Sequence, residues 1–290
     1  MPAKYLCCGI IAIYLILSPS FATATELVWK VSGLDAPESA LYDSKRNLIY
    51  VSNLNGQGTE KNKLGYISLL SLDGNLLQKK WLLGLNAPKG LALVDNLLYV
   101  ADIDQLVVIN VDNGSVNARH QALGAKFLND VVATQSGQVY VSDMFTDSIY
   151  TLVENKLQLF IQDSELLGPN GLHIEGDNLI VATWGKITQG FATEAPGYLK
   201  TINLVTKKIS TLGDATPVGH LDGIEADGNG NYLVTDWMAG GLYRIQSSGQ
   251  AELLLDLNQG SADLGVIAGK KLTIVPMMLD GEVNAYRMNR

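Results

Sequence analysis

Six residues stand at the same point of a repeated phrase and carry most of the chemistry this chain could do. Glu38, Lys89, Asn129, Asn170, Asp222 and Asp263 each occupy the third place of a short turn leading into an apolar stretch, at successive intervals of 51, 40, 41, 52 and 41 residues. The set holds three carboxylates, two carboxamides and one amine, with no imidazole and no thiol. Carboxylates gathered at one point repel one another unless a cation lies between them. Oxygen donors alone suit a hard cation, calcium ahead of magnesium or manganese, with zinc a poorer match. Taken singly, Pro169-Asn170-Gly171 and Leu221-Asp222-Gly223 are ordinary turn sequences in which Asn or Asp bonds its own backbone. Their shared register points further, because turn chemistry gives no reason to place a glutamate at position 38.

For these side chains to meet, the intervening chain must return to one place about every 40 residues. Each turn is followed by a β-branched or aromatic run: Leu48 to Asn53, Leu98 to Asp102, Val139 to Asp143, Leu179 to Thr183, Tyr232 to Asp236 and Leu272 to Pro276. Further short strands follow, as in Gln105 to Asn110 and Ser115 to Leu123 around the turn Asp112-Asn113-Gly114. Helical periodicity is absent after the first residues. Short strands and polar turns at this period predict an all-β chain, a six-bladed β-propeller of four-stranded antiparallel blades. The sixth repeat supplies only three strands, and Glu26 to Val31 is a strand left over at the other end. Pairing the two predicts a ring closed by the N-terminal strand in the last blade, with its edges hidden. In a propeller the first strand of each blade lines the axis, so the six turn residues are expected at one mouth of the channel. Two repeats carry about ten extra residues, Asn55 to Lys63 and Gly185 to Gly197, after their second strands. Both insertions are expected on the face bearing the six residues, where long loops usually border a site.

The first 24 residues read differently. Lys4, an apolar run from Cys7 to Leu17 and the small residues Ala22-Thr23-Ala24 have the layout of a secretory signal peptide. The reading is residues 1–24 as an export signal and residues 25–290 as one propeller domain, periplasmic or secreted. Both cysteines, Cys7 and Cys8, fall in the signal, which leaves no disulfide, thiolate metal site or cysteine nucleophile for the domain. A hydrophobic content of 47% over a chain of this length can fill a core without them. Removing Lys4 takes the formal charge from −8 to −9, 20 basic against 29 acidic residues, and no basic run is present. Nucleic acid and anionic membrane are therefore not expected partners, a P-loop is missing, and a monomer is expected.

The motifs Asn129-Asp130, Pro169-Asn170-Gly171-Leu172 and Leu221-Asp222-Gly223-Ile224 resemble those of the senescence marker protein/gluconolactonase family, and more distantly the paraoxonases and strictosidine synthases. The likeness extends through the repeat pattern of residues 25–290. It implies that Glu38, Asn129, Asn170 and Asp222 bind one divalent metal ion, calcium by the donor set, with the open side of the ion facing the mouth. It also implies hydrolysis of a lactone or related ester, with Asp222 doubling as proton acceptor; His220, a loop histidine, lies two residues away. Sugar-lactone members tend to carry an arginine two residues before the third-blade asparagine, where this chain has Phe127. That departure disfavours a sugar-acid lactone and opens the site to a less polar one. Lys89 and Trp184, the latter at the head of the fourth-repeat insertion, are the expected substrate contacts. Asn53, Asp102, Asp143 and Asp236, which end second strands, read as turn residues one layer out. The alternative is a propeller of the cell envelope that binds a metal or small ligand without turning it over.

Overall fold

The structure, a computed structural model, describes Met1 and residues 25–288. The expected export segment therefore lies, apart from Met1, outside the described residues. Six four-stranded antiparallel sheets follow one another around an axis. The first runs through Pro37–Asp43, Leu48–Asn53, Gly65–Ser71 and Leu76–Leu85, and four further blades repeat that meander up to Asp256. The sixth combines Gly265–Ile267, Leu272–Met277 and Glu282–Arg287 with Glu26–Ser32, which pairs antiparallel to Glu282–Arg287 and closes the ring as expected. Apart from strands, the described residues form only two single-turn 3₁₀ segments, Ser164–Leu166 and Ala268–Lys270, and no helix long and apolar enough to cross a membrane.

The core lies between blades. Each of six apolar clusters draws on two neighbouring sheets; one joins Tyr99, Leu106 and Val108 of the second blade to Leu128, Val141 and Tyr150 of the third. This explains the sequence texture of the second strands. Val139–Asp143 is buried along its whole length because both faces meet a neighbour, so it reads as a continuous run. Fourth strands such as Ser115–Gln121 face water and carry polar residues.

Hydroxyls on the second strands tie the innermost strands together. Ser142 Oγ accepts from Asp130 N at 2.9 Å and donates to Asn170 O of the next blade at 2.7 Å. Thr235 Oγ1 does the same between Gly223 N and Ala262 O, both at 2.9 Å. Such bonds satisfy backbone groups that the inner edge of each sheet would otherwise leave bare. Neighbouring inner strands also approach through glycines. A Cβ on Gly171 would sit 2.1 Å from Asp222 O, and one on Gly223 would sit 2.6 Å from Asp263 Oδ1.

Candidate metal and substrate site

In five blades the regular pairing of first and second strands breaks at the same place, between Pro37 and Ala40, Pro88 and Leu91, Leu128 and Val131, Pro169 and Leu172, and Leu221 and Ile224. The residues inside these irregularities include Glu38, Lys89, Asn129, Asn170 and Asp222. A bulge frees its residues from the ladder and re-aims their side chains, so the repeated turn noticed in the sequence is a repeated bulge in space. All five side chains belong to residues no more than 5% exposed. Asp263 N donates to Glu38 O at 2.8 Å, which seats the sixth residue beside the first, and Ser39 Oγ donates to Asp263 Oδ2 at 2.6 Å.

The ring concentrates negative charge. Burial pushes the Glu38 carboxyl well above the ordinary range, and the charges of Asp222 and Asp263 push it the same way while Lys89 opposes them. Burial and Asp263 likewise raise Asp222, with Asn170 opposing. Asp263 itself is pushed up to about 7 by burial, against the Ser39 hydrogen bond. Asp130 is raised by burial and Asp263 although its oxygens accept from Val131 N and Leu172 N, both at 2.6 Å. Lys89 is the one amine of the ring, and burial lowers it to about 8 against the charge of Glu38. Its Nζ donates to Gly58 O at 2.9 Å and Ala87 O at 3.1 Å, and lies 4.3 Å from the centre of the Phe127 ring.

Glu38 Oε2 and Asn170 Oδ1 are buried oxygens that accept no hydrogen bond. Two lone-pair-bearing atoms without donors, in a cluster with excess negative charge, are what a cation would satisfy. Among the described residues no three His, Cys, Asp or Glu side chains gather closely enough to hold a metal by themselves. A cation here must therefore combine carboxylates with carboxamide oxygens, which the donor set Glu38, Asn129, Asn170 and Asp222 provides. The residues fit a hard cation.

Both insertions lie on this face. Residues 55–63 bring Gly58 against the Phe127 ring, where a Cβ would be 3.2 Å away. The second insertion folds into a hairpin, Gly185–Gln189 with Ala192–Pro196, where the sequence suggested only a loop. Its tip residue Phe191 packs on Phe127, Phe145 and Trp184 with ring centres 5.7, 5.2 and 5.9 Å apart. With Met144, Ile187 and Trp237 these form an aromatic roof. The expected open mouth is therefore covered in this conformation, and Trp184 is buried in the roof with Nε1 donating to Phe191 O at 2.9 Å. His220 Nε2 pairs with Thr193 Oγ1 of the hairpin at 2.9 Å, so the imidazole fastens the roof. On the other side of the ring the channel widens into a cavity of about 260 Å³, lined in part by Asp130, Asp263, His173 and Glu225.

Three of the strand-ending residues, Asp102, Asp143 and Asp236, behave as turn residues, whereas Asn53 Nδ2 donates within its own blade to Val51 O and Ser68 Oγ. Asp143 accepts from the N–H groups of Lys126, Phe127, Phe145 and Thr146, and Asp236 from those of His220, Met238 and Ala239. Sequence reasoning passed over Asp130 and the hairpin. A signal for Asp130 was present: the residue after the ring position is glycine at 90, 171 and 223 but aspartate at 130.

No protein-family model matches the chain, and no curated protein matches it in sequence. Solved structures do resemble it. A protein assigned to a gluconolactonase family superposes with a TM-score of 0.68 at 16% identity, over 93% of this chain and 93% of that one. An inactive variant of virginiamycin B lyase from Staphylococcus aureus, crystallised with quinupristin, gives 0.61 at 12% identity over 91% of this chain and 100% of that one. A chain of a nidogen/laminin complex gives 0.57 at 16% identity, covering 75% of this chain and 78% of that one. A gluconolactonase-family protein is thus among the neighbours, in keeping with the family the sequence resembles. At such identities the likeness establishes the fold, which hosts many functions.

Proposed function

We propose that this protein is a metal-dependent hydrolase of a lactone or related ester, with one calcium ion held by Glu38, Asn129, Asn170 and Asp222. The observation that carries the proposal is the pair of donorless buried oxygens, Glu38 Oε2 and Asn170 Oδ1, inside a ring of carboxyls. When bound, a hard cation supplies Lewis acidity toward a carbonyl oxygen and its developing negative charge. The protein's own groups account for the proton. Asp222, which the motif resemblance casts as the proton acceptor and which lies beside Asn170, acts as the general base. It takes a proton from the attacking water as the new C–O bond forms, and returns that proton to the leaving alkoxide as the ester C–O bond breaks. The products are the carboxylic acid and the alcohol, joined in one molecule when the substrate is a lactone. Lys89 offsets part of the ring's charge and Asn170 supports Asp222. The aromatic roof excludes water that would otherwise weaken these interactions.

That gluconolactonase-like and lyase propellers are among the structural neighbours supports an enzyme. The apolar run over residues 7–17 and the Ala22-Thr23-Ala24 site support export. One observation favours the alternative of a non-catalytic metal or ligand binder: every ring residue from Glu38 to Asp222 is at most 5% exposed beneath the roof. A panel of lactones and aryl esters, assayed with metal content measured on the same protein, separates the two. Hydrolysis that stops on chelation, returns with calcium and vanishes in a folded Asp222→Ala variant is the expected result; bound metal with no turnover of any compound overturns it in favour of the binder.

A further inference from the structure

We infer that the site accepts a small carbonyl compound with an apolar body, an alkyl or aryl lactone or ester, and that Phe191 is the residue that selects it; the chemistry, though not the binding, rests on the hydrolase reading. Below the substrate position lie carboxyls and carboxamides, and above it lie Phe127, Met144, Phe145, Trp184, Phe191 and Trp237. No ionised side chain stands in that roof. The polar groups nearest to it are already engaged: the Lys89 amine with Gly58 O and Ala87 O, the Trp184 indole with Phe191 O, and His220 with Thr193. A polyhydroxylated substrate would therefore give up its water without finding partners, whereas an apolar body would not.

Phe191 shows what the mouth holds. It is 49% exposed, yet its ring meets those of Phe127, Phe145 and Trp184 at 5.2 to 5.9 Å, so the chain's own phenyl already fills a ring-sized seat on the roof. The hairpin carrying it is otherwise exposed: Lys186, Gln189 and Gly190 face water, and its polar anchors to the roof are the Trp184 and His220 hydrogen bonds. Gly190 takes φ +59° immediately before Phe191, and Gly185 takes φ +116° at the hairpin base, conformations that side chains other than glycine's rarely adopt. Because the ring below is buried, a ligand entering from this face reaches it when the roof parts. Displacing Phe191 vacates an apolar seat beside the carboxyls, matching a molecule with a carbonyl at one end and hydrocarbon at the other.

The test uses the full calcium-loaded protein with three δ-lactones: unsubstituted δ-valerolactone, alkyl-bearing δ-decalactone and polyhydroxylated glucono-δ-lactone. Hydrolysis is followed beside intrinsic tryptophan fluorescence, since Trp184 and Trp237 lie in the roof. The expected kcat/KM for δ-decalactone exceeds that for glucono-δ-lactone by about a hundredfold. Phe191→Ser, which leaves the seat vacant, should raise the decalactone-to-valerolactone ratio about tenfold, mainly through a lower KM for δ-decalactone, and Phe191→Leu, which refills the seat, should return it toward the wild-type value. Unaltered thermal unfolding of both variants, expected for a half-exposed tip residue, removes misfolding as the cause. Preference for glucono-δ-lactone, or a ratio indifferent to Phe191→Ser, overturns the inference while leaving the hydrolase reading intact. If nothing is hydrolysed but δ-decalactone alone shifts the fluorescence, and does so at lower concentration in Phe191→Ser than in the wild type, the inference stands and the hydrolase reading falls.

Discussion

Replacing Glu38 by Gln removes a charge without much change of shape, and the ring's electrostatics fix the sign of the result. Without a cation, burial and the neighbours Asp222 and Asp263 hold the Glu38 carboxyl protonated well above its ordinary range. Keeping it so at neutral pH, while the carboxyl of the unfolded chain ionises freely, costs folding stability. Glutamine does not bear that cost. In chelator, Glu38→Gln should therefore unfold at a higher temperature than the wild type. Calcium reverses the ranking of benefits. At a hundredfold excess over its dissociation constant the ion adds about 2.7 kcal/mol to the wild type, or about 5 °C. A variant whose affinity is a hundredfold weaker retains only about 0.4 kcal/mol, a gain of less than about 1 °C. Differential scanning calorimetry of both proteins in chelator and in calcium at one pH reads both effects. A Glu38→Gln protein that melts lower in chelator, or keeps the full calcium gain, would refute the claim that Glu38 is a crowded carboxylate awaiting a cation.

The ring also sets a pH dependence. Glu38, Asp130, Asp222 and Asp263 all have folded-state proton affinities raised by burial, Asp263 to about 7. The folded state then binds more protons than the unfolded one, so chelated protein should be most stable below about pH 4 as far as these groups are concerned and lose stability as pH rises through 7. Calcium should flatten that decline; equilibrium urea unfolding at several pH values with and without calcium checks it, and an equal slope in both counts against the reasoning. Gly171→Ala would place a methyl 2.1 Å from Asp222 O, forcing two inner strands apart. A loss of about 2–4 kcal/mol in denaturant unfolding is expected together with weaker calcium binding, whereas Gly176→Ala, with open space around it, should leave calcium binding alone.

The propeller was legible in the sequence because its signal is written once per blade. A strand pattern ambiguous in one copy becomes firm when Leu128-Asn129, Pro169-Asn170 and Leu221-Asp222 return at the same register. The leftover Glu26 strand was legible for a similar reason, since an unpaired strand needs an edge and the last repeat lacked one. What each ring residue does locally was less legible. The turn signal was right, but the bulge that turns Glu38 and Asn170 off the ladder depends on pairing across the sheet. Asp130 looked like the second half of an Asn-Asp pair, and only the fold shows its carboxylate accepting from Leu172 N of the next blade. The roof was hardest to foresee. Phe127, Phe145, Phe191 and Trp237 are scattered over two blades and an insertion in a third, and no local periodicity links residues that meet only because the chain has closed into a ring.

The central claim is that oxygens from four blades share one cation. Isothermal titration of calcium into chelator-stripped protein tests it most directly, with Asn170→Leu and Asp222→Ala beside the wild type. Binding of one ion per chain, weakened by at least about tenfold in each variant while the fold is kept, is the predicted result. Calcium that fails to bind, or binds equally well to all three proteins, would contradict it.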